Sequence, residues 1–323
     1  RYRARHDRQI VKHLARTINR RAYTLVELMV VLVIIGILLA MAAGGLMLAR
    51  RAAMQASQSN NLRQLGLAWM QYNTTSRGRF VPGWVSPNAQ RDLRMVLAYP
   101  DMTLIPPAPS FSEDEPNIAG PWTWRLVPYL GNDLSILIDP DEQDLLPILD
   151  YEQFGEQIAY EPAFAYNGWY VGGHYTVPQG AGRAILSFSS ARLGDRTEVN
   201  LVAESIGRMK HPSSTVVFLP GGKLTEPGSY SLANPHMQMW FEATPPYLAD
   251  QQMWSVVSPD DVDSFEPDIG VPRLGHGMDT PIFHADGSIG TESLNTLRRQ
   301  NLWIDSARVV EEIPAEEFTH EAE

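Results

Sequence analysis

Residues 20–51 read RRAYTLVELMVVLVIIGILLAMAAGGLMLARR, and the reading of this stretch organises the rest of the chain. Between Arg21 and Arg50 the only charged side chain is Glu27, and residues 28–49 carry none. As a helix, residues 28–49 would extend about 33 Å at ~1.5 Å per residue, enough to cross the hydrocarbon core of a bilayer. Basic pairs flank it, Arg20-Arg21 before and Arg50-Arg51 after, and residues 1–22 hold eight Lys/Arg against the single Asp7. The heavier positive cluster is N-terminal, so the positive-inside rule places the N-terminus in the cytoplasm and the remainder outside. A secretory signal has a shorter apolar core with small residues at a cleavage site beyond it. Here a carboxylate interrupts the start of the apolar run instead. At bilayer depth such a group costs about 2.5–3.5 kcal/mol on insertion scales, so Glu27 needs a partner or a place at the membrane edge.

Outward from this segment, the 323 residues carry 26 Lys/Arg and 37 Asp/Glu, a formal charge of −11. With the basic head set apart, residues 23–323 hold 18 basic and 36 acidic groups, a balance of −18. That argues against a nucleic-acid surface. The hydrophobic share of 44% excludes wholesale disorder. The absence of cysteine excludes disulfides, thiolate nucleophiles and Cys-ligated zinc.

The string Ala22-Tyr-Thr-Leu-Val-Glu27-Leu-Met-Val-Val31, continuing to Ile34-Ile-Gly-Ile-Leu38, closely resembles the N-terminus of type IV prepilins and type II secretion pseudopilins. The resemblance implies cleavage between Ala22 and Tyr23 by a prepilin peptidase/methyltransferase, which methylates the new amine of Tyr23. The family usually has Gly before the cut, and this chain has the small residue Ala22. Glu27 then falls at the family's fifth mature position, which implies pairing of its carboxylate with a neighbouring subunit's N-terminal amine during assembly. That amine is the kind of partner the insertion energetics demand.

Beyond Ala49 the helical pattern persists, with Leu62, Leu65, Trp69 and Tyr72 on one face at a 3.6-residue period and Asn60, Asn61, Arg63, Gln64 and Gln71 on the other. One helix from about Thr24 to Tyr72 would be ~70 Å long. Gly66 weakens it by ~1 kcal/mol relative to Ala, which close packing against a neighbour would explain. Asn73-Thr-Thr-Ser-Arg-Gly78 is a plausible stop. Gly36, Gly44 and Gly45 are either flex points or small-residue packing sites. Residues 61–68 (NLRQLGLA), 78–83 (GRFVPG), 122–130 (WTWRLVPYL) and 212–218 (PSSTVVF) resemble a large bacterial family of pilin-like proteins whose heads have no assigned chemistry. His276 followed after nine residues by Asp286-Gly287 resembles that family's C-terminal motif.

The head reads as α+β: an antiparallel sheet with insertions, packed on the amphipathic half of the long helix. Strands are expected over 184–189, 200–204, 215–219 and 280–284, and short helices over 93–97 and 293–303. Residues 283–289 read as a hairpin in which Asp286-Gly287 supplies the positive φ angles of a type I′ turn. His276, Asp279, His284 and Asp286 are the alternative as a metal site, with the structural hairpin favoured. Acidic groups concentrate in 101–161 (thirteen, against Arg125 alone), in 242–270 (seven, with no Lys or Arg) and from Glu311 onward (six). Asp139, Asp141, Glu142 and Asp144 are candidate calcium ligands, although their spacing does not make an EF-hand loop. No cofactor is otherwise implied. The enzyme fingerprints are absent: no G-x-S-x-G, P-loop, G-x-G-x-x-G or H-E-x-x-H. Trp122, Trp124, Trp169, Tyr170 and Tyr175 fit a buried core better than a sugar-stacking surface.

The expected organisation is a basic leader over 1–22, a transmembrane and amphipathic stem over 23–77, a head over 78–304 and a disordered acidic tail over 305–323. The expected function is a non-enzymatic subunit of a type IV pilus or type II secretion-like pseudopilus. Its implied partners are the prepilin peptidase, other pilin or pseudopilin subunits, an inner-membrane assembly platform and the lipid bilayer, with no nucleic acid. It would be a single-pass inner-membrane protein with its head in the periplasm or at the cell surface. The alternative is a membrane-tethered extracytoplasmic module that binds a ligand or polymer without forming filaments.

Overall fold

The computed structural model describes residues 24–86, 89, 120–131, 133–139, 158–177, 180, 182–187, 190–193, 197–224, 237–243, 270–273, 279–297 and 299–307. Helix α1 runs Leu25–Thr75, and the chain divides into two units between Ala52 and Ala53. In the first unit, the seventeen large apolar side chains from Leu25 to Leu48 are 45–74% exposed. An apolar surface of that size needs lipid or other helices around it. Among the described residues no side chain approaches the positions of Gly36, Gly44 or Gly45, and the helix passes through all three unbroken.

In the second unit the end of α1 lies on a sheet. Strands β1 (Trp84–Val85), β2 (Gly120–Pro121), β3 (Phe164–Tyr166), β4 (His174–Thr176), β5 (Ile185–Ser187), β6 (Ser190–Leu193) and β7 (Thr197–Asn200) precede the long β8 (Val216–Leu224). After it come β9 (Met237–Met239), β10 (Gly270–Pro272), β11 (Asp279–His284) and β12 (Ile289–Ser293). Strand β8 is the hub of six antiparallel strands: β3 and β11 pair with its first half, β9 and β10 with its second, and β12 extends β11. A second sheet has the order β2-β1-β4-β5 with β1 and β4 parallel, and β6-β7 is a separate pair. The expected α+β architecture, a long helix followed by a head rich in antiparallel strands, is what forms.

Several local expectations change. Strand β8 continues past Leu219 through Pro220-Gly-Gly to Leu224. Proline has no N–H to offer a ladder, and Pro220 stands where β8 passes from β3 and β11 to β9 and β10. Gly221 is required beside it, because a Cβ there would collide with the Ala165 methyl. Residues 200–204 contribute the end of β7 and an isolated bridge at Ala203 instead of a strand. Residues 293–303 form one helical turn, Leu294–Leu297, and a 3-10 turn, Gln300–Leu302. The expected helix over 93–97 lies outside the described residues.

The interlock of α1 with the sheet centres on Trp69. Its ring stacks on Phe80 (centroids 4.8 Å) and meets Phe283 edge-on (6.2 Å), while its indole N–H donates to the Tyr166 hydroxyl at 3.3 Å. Tyr166 donates onward to the Val81 carbonyl at 2.9 Å. Leu62, Leu65 and Tyr72 are buried on the same face, as the periodicity requires. Gly66 is the point of closest approach, since a methyl added there would occupy the ring of Phe283. Asn61 departs from the expected polar face: it is buried, as is Asn73, because the head wraps more than the apolar stripe. The head also extends past its expected border, with Asp305 and Ala307 buried. Gly66→Val should therefore destabilise the fold by about 1–3 kcal/mol or more through overpacking, whereas Leu67→Ala at an exposed neighbour should change it by less than about 0.5 kcal/mol. Denaturant unfolding of the full chain in detergent, followed by tryptophan fluorescence, measures both.

Candidate functional site

Helix α1 starts at a reciprocal cap. The Glu27 carboxylate Oε2 accepts from the Thr24 backbone N–H at 2.8 Å and from the Thr24 hydroxyl at 3.0 Å. The Glu27 backbone N–H donates to Thr24 Oγ1 at 3.2 Å in return. This is a capping box, in which a Thr at the N-cap and a Glu three residues on satisfy each other's backbone donors. The carboxylate is therefore held in the first turn, where the positive end of the helix dipole also favours it. Both donors converge on Oε2. The signal lies in the sequence as Thr24-x-x-Glu27 ahead of an apolar run, a local role for Glu27 beside the membrane-edge and amine-pairing expectations. The expected processing residues Ala22 and Tyr23, with the rest of the leader, lie outside the described residues.

The C-terminal motif is only half described, since His276 lies outside. Asp286 and Gly287 form the hairpin connection between β11 and β12, with a geometry other than type I′. Gly287 alone has a positive φ, 91°, and Asp286 does not. The Gly287 N–H donates to the His284 carbonyl at 2.9 Å, and the His284 N–H to the Ser288 carbonyl at 2.9 Å. The connection is thus a three-residue loop whose left-handed residue is the glycine, a geometry matched to strand twist. The Asp286 side chain accepts from the Ser288 N–H (2.9 Å) and hydroxyl (2.6 Å), which fixes the loop. The ideal Cβ position of Gly287 lies 3.0 Å from Met70 Sδ, so the loop sits close to α1. His284 is buried beneath it. Burial pushes its imidazole below the ordinary range, against the opposing pull of Asp286, Glu292 and the backbone at Thr215 and Ser214. No group of three or more metal-ligating side chains occurs among the described residues.

Of the candidate calcium ligands, Asp141, Glu142 and Asp144 lie outside the described residues. Asp139 is buried and ion-paired with Arg273. Trp122, Trp124 and Tyr170 are core residues. Trp169, half-buried, stacks on His174 with centroids 3.9 Å apart, and the His174 imidazole in turn contacts the Glu242 carboxylate. Both members of that pair are buried. They lie 68 positions apart, and no local pattern announces the pairing. The Tyr175 hydroxyl faces Glu204, and burial together with that carboxylate raises its pKa to about 12. Arg125 is buried in the core, where its guanidinium donates to the carbonyls of Gly120 (3.0 Å) and Pro121 (2.9 Å). Desolvation lowers its pKa to about 10 despite the raising influence of Tyr72.

Among the described residues, the capped Glu27 carboxylate is an exposed, oriented functional group at the head of an apolar helix. Residues 18–43 match the family model described as the prokaryotic N-terminal methylation motif. At its N-terminus the chain is type IV pilin-like. The match spans the leader's last basic residues, the expected cut and the first part of α1, including Thr24 and Glu27. Among the described residues α1 is the one helix long and apolar enough to cross a membrane, and with this motif it fits a single-pass inner-membrane anchor. No curated protein matches the chain, and no solved structure does.

Two measurements check these arrangements. Thr24→Ala should remove the cap at a cost of about 1 kcal/mol, seen as faster amide hydrogen exchange at residues 25–28 in micelles, with Thr24→Ser close to the parent. For His284 the folded pKa lies below the unfolded value near 6.5, so the unfolded chain binds more protons as the pH falls. Head stability should be fully present above about pH 6.5 and decline below it. His284→Gln should flatten that slope in unfolding midpoints measured from pH 7.5 to 5.

Proposed function

We propose that this chain is a non-enzymatic structural subunit of a type IV pilus or type II secretion-like pseudopilus. In this reading it is cut between Ala22 and Tyr23 by a prepilin peptidase, methylated at the new amine, and assembled through α1. The capped Glu27 at the start of the exposed apolar helix, inside the methylation motif, is the observation that carries the reading. In a membrane the helix is solvated by lipid. In a filament the same surface is buried against neighbouring helices, and the transfer needs little hydrophobic driving force because lipid tails are as apolar as leucine. A group that is costly in lipid and satisfied by an amine therefore biases the equilibrium toward assembly. The Thr24 bonds hold Oε2, and an incoming amine would meet the carboxylate at Oε1. The acidic head, directed to the periplasm or cell surface, would decorate the fibre.

The experiment rests on the division of labour within the helix. Glu27→Ala should abolish filaments or pseudopili while membrane insertion, measured by carbonate-resistant fractionation, stays at parent levels. Mass spectrometry of the mature chain should find N-methyl-Tyr23 as its first residue. An intact leader, or filaments assembled normally by the Glu27→Ala chain, would overturn the proposal and leave a tethered, non-filamentous module.

A further inference from the structure

Among the described residues of this acidic head, four cations gather at the junction where α1 ends. The helix stops at Thr75, Arg77 takes a left-handed conformation (φ 59°) and Gly78 comes next (φ 80°). This turn is sewn to residues 204–206. The Phe80 N–H donates to the Glu204 carbonyl (2.9 Å), the Ile206 N–H to the Gly78 carbonyl (3.3 Å), and Arg79 bridges Ser205. The chain then makes a 3-10 turn, Ile206–Arg208, and runs on through Lys210. Arg77, Arg79, Arg208 and Lys210 are all exposed, and Arg208 meets Glu204 at 3.1 Å. Among the described residues the side chains of Arg77, Arg79 and Lys210 make no ion pair. Between these cations Ile206 is 42% exposed. The ridge therefore presents Arg77, Arg79 and Lys210 together with the Arg208–Glu204 pair around an apolar spot.

The last described residues, up to Ala307, lie beside this ridge. The Asp305 carboxylate accepts the backbone N–H groups of Lys210 (2.7 Å) and His211 (2.6 Å), and Ala307, two residues on, is buried. Residues 308–323 then read RVVEEIPAEEFTHEAE, with six Glu, one Arg and apolar groups at Val309, Val310, Ile313 and Phe318. Six residues of extended chain reach about 20 Å, more than the few residues separating Lys210 from Ile206 demand. A segment with this composition cannot bury a core of its own, but a surface of complementary charge with an apolar centre would order it.

We propose that residues 308–323 dock on the ridge of Arg77, Arg79, Arg208 and Lys210 of the same chain, with their apolar residues over Ile206. Single exposed ion pairs are weak and salt-screened, so the docking depends on several acting together. The consequence is a strap across the stem–head junction that masks the head's basic patch. The proposal concerns one molecule and does not require filament formation, so it stands or falls independently of the assembly role.

The lack of cysteine makes a direct test available. The full chain with Ile206→Cys and Ile313→Cys is oxidised mildly in detergent at low salt, and the disulfide is read on non-reducing gels and by mass spectrometry. An intrachain disulfide should form, and its rate should fall about tenfold in 1 M salt, where the Debye length is ~3 Å. Reversal of the ridge (Arg79→Glu, Arg208→Glu, Lys210→Glu) should slow it comparably, and adding Glu311→Lys and Glu312→Lys should restore it. A rate indifferent to salt and to charge reversal would mean that tethering alone brings the two cysteines together, and would overturn the proposal. So would the absence of any disulfide. Disulfides between chains, rising with protein concentration, would overturn it in favour of docking on a second copy.

Discussion

The approach of α1 to β11 at Gly66 is the constraint on which the packing of the head depends. With no Cβ at that position the Phe283 ring reaches the helix backbone, and only then can Trp69 meet Phe283 edge-on and stack on Phe80. The indole in turn orients Tyr166, which holds the Val81 carbonyl and so the first loop of the head. A conformational cost of about 1 kcal/mol for a mid-helix glycine is small beside the burial of several aromatic rings, each contributing a few kcal/mol. The helix tolerates its weakest residue because the sheet needs that space.

Charge in the head obeys the same rule of local satisfaction. A carboxylate taken out of water is expensive unless a partner meets it, and the three buried carboxylates among the described residues each have one. Asp139 meets Arg273, Glu242 meets His174, and Asp305 caps two backbone N–H groups at Lys210 and His211. Each contact joins segments far apart in the chain, so these pairs specify which loops neighbour one another more than they add stability. Exposed charge has another distribution, with cations at the stem–head junction in a chain whose overall balance is strongly acidic.

Glu27 combines both themes at the other end of α1. A carboxylate beside an apolar run reads as a defect, yet in the folded chain it closes the helix by taking two donors from Thr24. The same group can thus serve the isolated helix as a cap and, in the proposed assembly, an arriving amine. These roles are compatible because both Thr24 donors use Oε2.

Much of this is legible in the sequence. The apolar run, its basic flanks and Glu27 mark the anchor, and the Leu62, Leu65, Trp69 and Tyr72 spacing marks the buried face, because helical periodicity is a local property that sequence carries directly. The capping box is legible too, being a pair only three residues apart. Strand β8 is half legible: Pro220-Gly-Gly looks like an end, and only the handover from one set of neighbours to the next makes a strand tolerate it. The turn at Asp286-Gly287 is placed correctly by its residues but given the wrong type, because the distinction rests on one φ angle that the hairpin's register decides. Partners such as His174 with Glu242 leave no trace in the sequence, since contact between residues tens of positions apart exists only after the chain has packed. By itself, then, the sequence determined the anchor, the helical face and the α+β class, all of which derive from short-range periodicity and charge. Tertiary structure alone decided the strand order, the buried charge pairs and the basic ridge, because each depends on which distant segments exclude water from one another.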